Sequence, residues 1–245
     1  MKTTYKTLII ALTLFLLGVN WHMLFRRDIG KEMLDYMKDK YNEDFTIVGT
    51  DLEAWNDSTK IIAVEPAAFP GKYVKVRRDK EGVIFDGYLA LKLNAEVEKE
   101  ISRVVFEVYG ENKVFNHANT TANYNYTDPN MSVENFLKLY PPCTTATIYV
   151  TKDHAQKEKD VETFRQVLKE KGYYLGCQIC YVKKEGFEDI NAENKNQYAI
   201  GHTSEFTKEQ SMIEMFGDFI TNDSFEFKFY EWTDPQDRLI KKKSE

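Results

Sequence analysis

The stretch TATIYVTKDHAQKEKDVETFRQVLKEKGYYLGCQICY, residues 145–181, decides how the second half of this chain is read. It opens with alternation. Ala146, Ile148 and Val150 point one way, and Thr145, Thr147 and Tyr149 the other, which is the period of a strand with one face on a core. From about Glu158 to Lys171 the period lengthens. Val161, Phe164, Val167 and Leu168 form a helical stripe, and Gly172 stands where a helix ends. Leu175, Cys177, Ile179 and Tyr181 then alternate again.

Outward from this β-α-β core, a weaker strand is expected over Gln197–His202. Thr207 and Gln210 form a capping-box pattern ahead of a helix carrying Met212, Met215, Phe216 and Phe219. A last strand alternates Phe225, Phe227 and Phe229 with Glu226, Lys228 and Tyr230. The resulting order, β-α-β-β-α-β, predicts a ferredoxin-like unit over residues 131–245. Before it, Ser132 suits an N-cap with Met131 and Phe136 as its apolar staple, and Pro141-Pro142 stops that short helix.

The first half predicts a separate α+β unit over 28–115. Asp28 can cap a helix whose apolar face is Ile29, Met33, Tyr36, Met37 and Tyr41, opposite Lys31, Glu32, Asp35, Lys38 and Asp39. Strands are expected at Phe45–Thr50, Lys60–Glu65 and Tyr73–Arg78. The last turns through Asp79-Lys80-Glu81-Gly82 into Val83-Ile84-Phe85, giving an antiparallel meander. Asp86-Gly87 suits either a hairpin turn or a helix cap. From Asn94, the stripe Val97, Ile101, Val104, Val105 and Val108 predicts a long helix ending at Gly110. Residues 116–130, rich in Asn, Thr and Tyr, read as a linker.

Residues 1–27 predict a signal anchor or a signal peptide. Nine of the twelve residues from Leu8 to Val19 are Leu, Ile, Phe or Val. At about −0.3 to −0.6 kcal/mol each, they favour insertion by roughly 3 to 5 kcal/mol. Twelve residues are short for a span of about 20. The segment reaches that length from Tyr5 to Phe25 if Lys6, Asn20 and His22 lie near the interfaces, with Trp21 at a boundary. Lys2 and Lys6 would serve equally as the basic start of a signal peptide. Gly18-Val19-Asn20 is a poor cleavage site, so the uncleaved anchor is favoured, with membrane contact through 5–25 and the C-terminal body outside the cell. Secretion after cleavage is the alternative. No cysteine follows the run to carry a lipid.

Charge narrows the partners. The chain has 33 Lys+Arg and 39 Asp+Glu, and removing Lys2, Lys6, Arg26 and Arg27 leaves 29 against 39, a body near −10. Such a body repels nucleic acid and anionic lipid surfaces. The short Lys241-Lys242-Lys243 run reads as a solvated end. The triplets at Asn56, Asn119, Asn125, Asn130 and Asn222 match glycan acceptors, but such triplets arise by chance in an Asn-rich chain.

No motif assembles a catalytic, cofactor-binding or metal-ligating set. Cys177-Gln178-Ile179-Cys180 has the C-x-x-C spacing, but within a strand residues three apart face opposite ways, so the sulfurs do not meet. That reading puts Cys177 in the core and Cys180 on the outer face. A Cys143–Cys177 disulfide is the other arrangement open outside the cell. His22, His117, His154 and His202 are scattered. Asp153-His154 with Glu158, and His202-Thr203-Ser204-Glu205, read first as caps and solvated turns. The acidic loop Asp51–Asp57 lacks the glycine and terminal acid of a calcium loop, and its Trp55 is a candidate aromatic anchor for a partner.

DYMKDKYNEDFTIVG (35–49) and GYLALKLNAEVEKEI (87–101), behind the short apolar leader, resemble the signal-bearing or membrane-anchored extracytoplasmic proteins of Gram-positive Clostridia and their relatives. The resemblance covers mainly residues 28–110. It implies a location outside the cytoplasm and carries no site residues. The expected function is a membrane-tethered, non-catalytic interaction module for a protein or surface partner, without nucleic acid. Its rival is a cell-surface hydrolase with a site between the two units.

Overall fold

The computed structural model describes residues 29–50, 59–139, 142–182 and 184–193, and strands at 212–220, 229–232 and 240–243. The fold is α+β with two sheets and several helices. The leader, residues 51–58 with Trp55, and residues 194–211 with His202 and the Thr207 capping box lie outside the described residues. Among the described residues, no helix is long and apolar enough to cross a membrane.

Two compact units divide the chain. The first begins with helix α1, 29–41. Ile29, Met33, Met37 and Tyr41 are buried at four-residue spacing, as one apolar stripe requires. The helix ends on Asn42, whose N–H makes a last bond to the Lys38 carbonyl at 2.8 Å and whose positive φ then turns the chain out of the helix. Strands β1 (Phe45–Thr50), β2 (Thr59–Pro66), β3 (Val74–Asp79) and β4 (Ile84–Asp86) follow in the expected meander, each antiparallel to the next. The Asp79 carboxylate closes the β3–β4 turn by accepting from the Val83 N–H at 2.8 Å, with Gly82 at positive φ. One face of the sheet buries Ile62, Val64, Val74, Val76 and Ile84. Gly30 of α1 faces Ile47 and Ile62, where an added Cβ would stand 3.7 and 4.0 Å away, ordinary contact distances.

The expected linker does not behave as one. Thr120–Pro129 cluster with the first unit, while residues 89–119 and those from Asn130 onward form the second. Thr120 accepts from the Lys75 N–H at 3.0 Å and Tyr124 from the Asp86 N–H at 3.2 Å. The Arg77 guanidinium holds the Ala122 carbonyl at 3.0 Å while stacking over Phe85. Polar side chains made this segment look solvated. Its backbone, however, satisfies the edge groups of β3 and β4 that the short β4 leaves open.

Helix α2 (Tyr88–Lys92) leads into the second unit. There α3 (Asn94–Tyr109) buries Val97, Ile101, Val104 and Val105, with Gly110 as its stop at positive φ. Strand β5 (Asn112–Ala118) replaces the start of the expected linker and pairs along its whole length with β6 (Thr144–Val150). Its buried Asn116 is held by Asn94, Glu98 and Thr144, so a polar residue sits inside without losing its hydrogen bonds. Between these strands Ser132 caps α4 (Val133–Leu137), as the sequence predicts.

Helix α5 (Lys157–Lys171) ends at Gly172 in the left-handed region. There the Gly172 and Tyr173 N–H groups bond back to Lys169 and Leu168. It leads to β7 (Leu175–Val182), followed by α6 (Lys184–Phe187), β8 (Met212–Ile220), β9 (Phe229–Trp232) and β10 (Ile240–Lys243). The sheet order is β10-β9-β8-β7-β6-β5.

This topology corrects the ferredoxin-like expectation. That arrangement places another strand between the two joined by the first helix. Here β6 and β7 are direct, parallel neighbours. The expected helix through Met212, Met215, Phe216 and Phe219 is β8, antiparallel to β7 from Leu175 to Val182. The apolar spacing in that window fits either period, and Gly217 disfavours a helix. The free edge of β7 then decides, because its N–H and C=O groups need a partner. Of the strand expected through Phe225, Phe227 and Phe229, the residues before Phe229 lie outside the described ones, and Phe229 opens β9.

Tyr149 is a further correction. It does not face solvent but packs with Cys180, Val182, Phe187 and Ile190, beside Phe115. Strands in a parallel pair are commonly covered on both faces.

Candidate interaction surface

The outward side chains of α1 build a contoured surface on the first unit. Lys31, Glu32, Asp35, Tyr36 and Asp39, with Gly82 and Ile84 from the β3–β4 hairpin, line an open groove of about 720 Å³. At the end of the helix, Lys38, Asp39, Asn42, Glu43 and Asp44 line a second depression of about 480 Å³. Five carboxylates against two lysines make this face acidic. The Lys38–Asp44 contact, 3.7 Å long and with Asp44 88 % exposed, neutralises little in water.

Beneath this surface, Lys40 turns inward. Its ammonium contacts Asp86 at 2.8 Å, and the same carboxylate accepts from the Tyr41 hydroxyl at 2.8 Å and the Tyr88 N–H at 3.0 Å. Asp86 is fully buried. Burial, and then the charge on Asp86, push the Tyr41 hydroxyl far above the usual phenol range. The Tyr88 hydroxyl donates to Glu43, and its pKa is also raised, by burial and then by that bond. These groups are occupied in pinning α1 to β4. The network holds the acidic face in place and directs no proton donor into the grooves. Asp86-Gly87 carried its only sequence signal, a polar turn pair after a strand.

Strand β1 borders this face. It reads Phe-Thr-Ile-Val-Gly-Thr from 45 to 50, without a charge. Ile47 is 37 % and Val48 51 % exposed. Its register slips between Ile47 and Gly49, a bulge that leaves Val48 unmatched on β2. Among the described residues β1 pairs with β2 alone.

The other expected site residues do not converge. Cys143, Cys177 and Cys180 are buried and none of them is in a disulfide, so the Cys143–Cys177 bridge is not formed. Cys177 and Cys180 lie three apart in β7, on opposite faces, with Cys180 in the Tyr149 cluster. Burial raises the Cys177 thiol to about 12 and Cys180 further. Asp153 accepts from the Ala155 N–H at 2.9 Å and so shapes the turn that opens the short 3-10 segment His154–Gln156. His117 contacts Thr147 at 3.2 Å. Among the described residues no group of three or more His, Cys, Asp or Glu is placed to hold a metal ion.

The thiol environment has a measurable consequence. Iodoacetamide is expected to label none of the three cysteines in the folded chain at neutral pH and all three after denaturation. Rapid labelling of Cys177 or Cys180 without denaturant would contradict the packing of β7. Stability should also fall as pH rises from about 8.5, where an unfolded thiol starts to ionise, towards about 12 for Cys177. In that window the unfolded chain releases protons that the folded chain retains, so rising pH favours unfolding.

The described residues thus define an α+β protein with an acidic helix face beside an open sheet edge. Among solved structures, the chain is similar to a crystal structure of a DUF5037 family protein from Ruminococcus gnavus. That match has a TM-score of 0.37 at 14 % identity and covers 81 % of this chain and 94 % of the other. No family model matches the chain, and no curated protein matches it.

Proposed function

We propose that this chain is a membrane-tethered extracytoplasmic interaction module that acts by binding a protein or surface partner and performs no catalysis. The observation that carries the reading is the unequal treatment of the two edges of the first sheet. Backbone from Thr120 to Tyr124 closes the β3–β4 side, whereas β1 presents an uncharged, partly exposed edge beside an acidic face. Exposed sheet edges are ordinarily blocked by charge, proline or a covering segment. An edge left uncharged is suited to contact. The leader supports the tether: its apolar run ends a few residues before α1, which would set the first unit close to the membrane. The engagement of Asp86, Lys40 and Tyr41 with one another supports a binding role over acid–base chemistry at this face.

Intact mass and membrane fractionation in the native host test the location, and a panel of ester, peptide and phosphate substrates tests the activity. A full-length product in the membrane fraction, cut by protease added outside the cell, with no turnover, is the expected result. A shortened product beginning near Trp21 would replace the tether with secretion. Turnover that follows the purified chain would replace binding with hydrolysis.

A further inference from the structure

We infer that β1 binds an extended peptide segment by strand addition, and that the segment it takes is apolar or β-branched and flanked by lysine or arginine. The inference rests on the interaction reading above and names the partner's chemistry.

Strand addition needs a free edge, room for side chains and little opposing charge. Among the described residues β1 is hydrogen-bonded on one side only. From Phe45 to Thr50 it carries no charge that would repel an incoming strand. Ile47 and Val48 offer apolar surface on successive, opposite faces of the strand. The bulge at Val48 interrupts the ladder, so the regular part of the seat is Phe45 to Ile47 and the contact is short.

Charge selects the occupant. At the beginning of the seat lies the depression lined by Asp39, Glu43 and Asp44 against Lys38 alone, a surplus of two negative charges. A cation just beyond the paired segment would sit there. A second copy is disfavoured on the same ground. The residues that lead into β1 of such a copy, Glu43 and Asp44, are acidic and would bring no cation to the depression.

Fluorescence anisotropy with the full chain in detergent tests this. The probes are a labelled peptide of alternating Val and Thr flanked by lysines, the same peptide flanked by glutamates, and two lysine-flanked versions with alternate amides N-methylated. The lysine-flanked probe should bind at least roughly tenfold more tightly than the glutamate-flanked one and weaken as salt is raised. Only one N-methylated version should lose binding, because in a strand alternate N–H groups face the edge. Val48→Lys should weaken the lysine-flanked probe by roughly tenfold, while Val48→Glu should not. Val48 is half exposed, so both variants should fold, and an unchanged unfolding midpoint checks this.

Equal binding of the two flanked probes, indifference to Val48→Lys, or equal binding of both N-methylated versions would overturn the proposal. So would self-association of the chain that Val48→Lys abolishes, since it would give the edge to a second copy. A membrane-held, catalytically silent chain that ignores the peptides would defeat strand addition alone. Substrate turnover would defeat the interaction reading independently of the peptides.

Discussion

Gly87→Ala should destabilise the first unit by about 3 kcal/mol, the upper part of the range for forcing extra atoms into a packed site. A Cβ at Gly87 would stand 2.3 Å from the Thr120 carbonyl oxygen, 2.4 Å from its carbon and 2.7 Å from its Cα. All three atoms are backbone, so no side chain can swing aside. Gly87 is also held from behind, its N–H bonded to the Lys75 carbonyl at 3.2 Å. Relief therefore requires moving Thr120, which breaks its bond with the Lys75 N–H. Urea unfolding of the variant measures the loss. Gly71→Ala is the matched control. Gly71 has φ +75 with nothing within 4 Å of a Cβ, so its cost is conformational, about 1 kcal/mol. A Gly87→Ala protein as stable as the parent would mean that the 120–126 segment does not sit on the sheet edge.

Asp86→Ala should cost about 3 to 5 kcal/mol, because it leaves the Lys40 ammonium, 8 % exposed, without its carboxylate. It also removes the acceptor for the Tyr41 hydroxyl and the Tyr88 N–H. Adding Lys40→Met should recover more than half of the loss, since the larger penalty belongs to the abandoned charge. Tyr41→Phe should cost less, about 1.5 to 3 kcal/mol, the range for a hydrogen bond to a charged group. The same urea titrations decide. If the double variant is as unstable as Asp86→Ala alone, the cost lies in packing around Asp86 and the ion-pair account fails.

Much of this architecture was legible in local pattern. The meander of the first unit, the stripes of α1, α3 and α5, and the stops at Gly110 and Gly172 all follow from spacing and backbone chemistry within a few residues. The separation of Cys177 from Cys180 follows from the two-residue period of a strand. Of the candidate surface, the acidic outer face of α1 could be read from its helical period, and the uncharged run 45–50 from the residues themselves.

What sequence spacing left undetermined was decided by backbone groups seeking partners far away in the chain. Residues 212–220 satisfy either period, and the unpaired edge of β7 selects a strand. Residues 116–118 and 120–126 look like solvent-exposed linker by composition, yet the first complete the β5 ladder with β6 and the second seal β3 and β4. Tyr149 alternates outward beside β7, and only the cluster around Phe187 and Ile190 buries it. Asp86 shows least of all in the sequence, because its burial depends on Lys40 and Tyr41, more than forty positions earlier. Local periodicity reports which way a side chain leaves the backbone. Which edges are covered, which charges are enclosed and which strand stays open depend on contacts between distant segments, and those exist only in the folded chain.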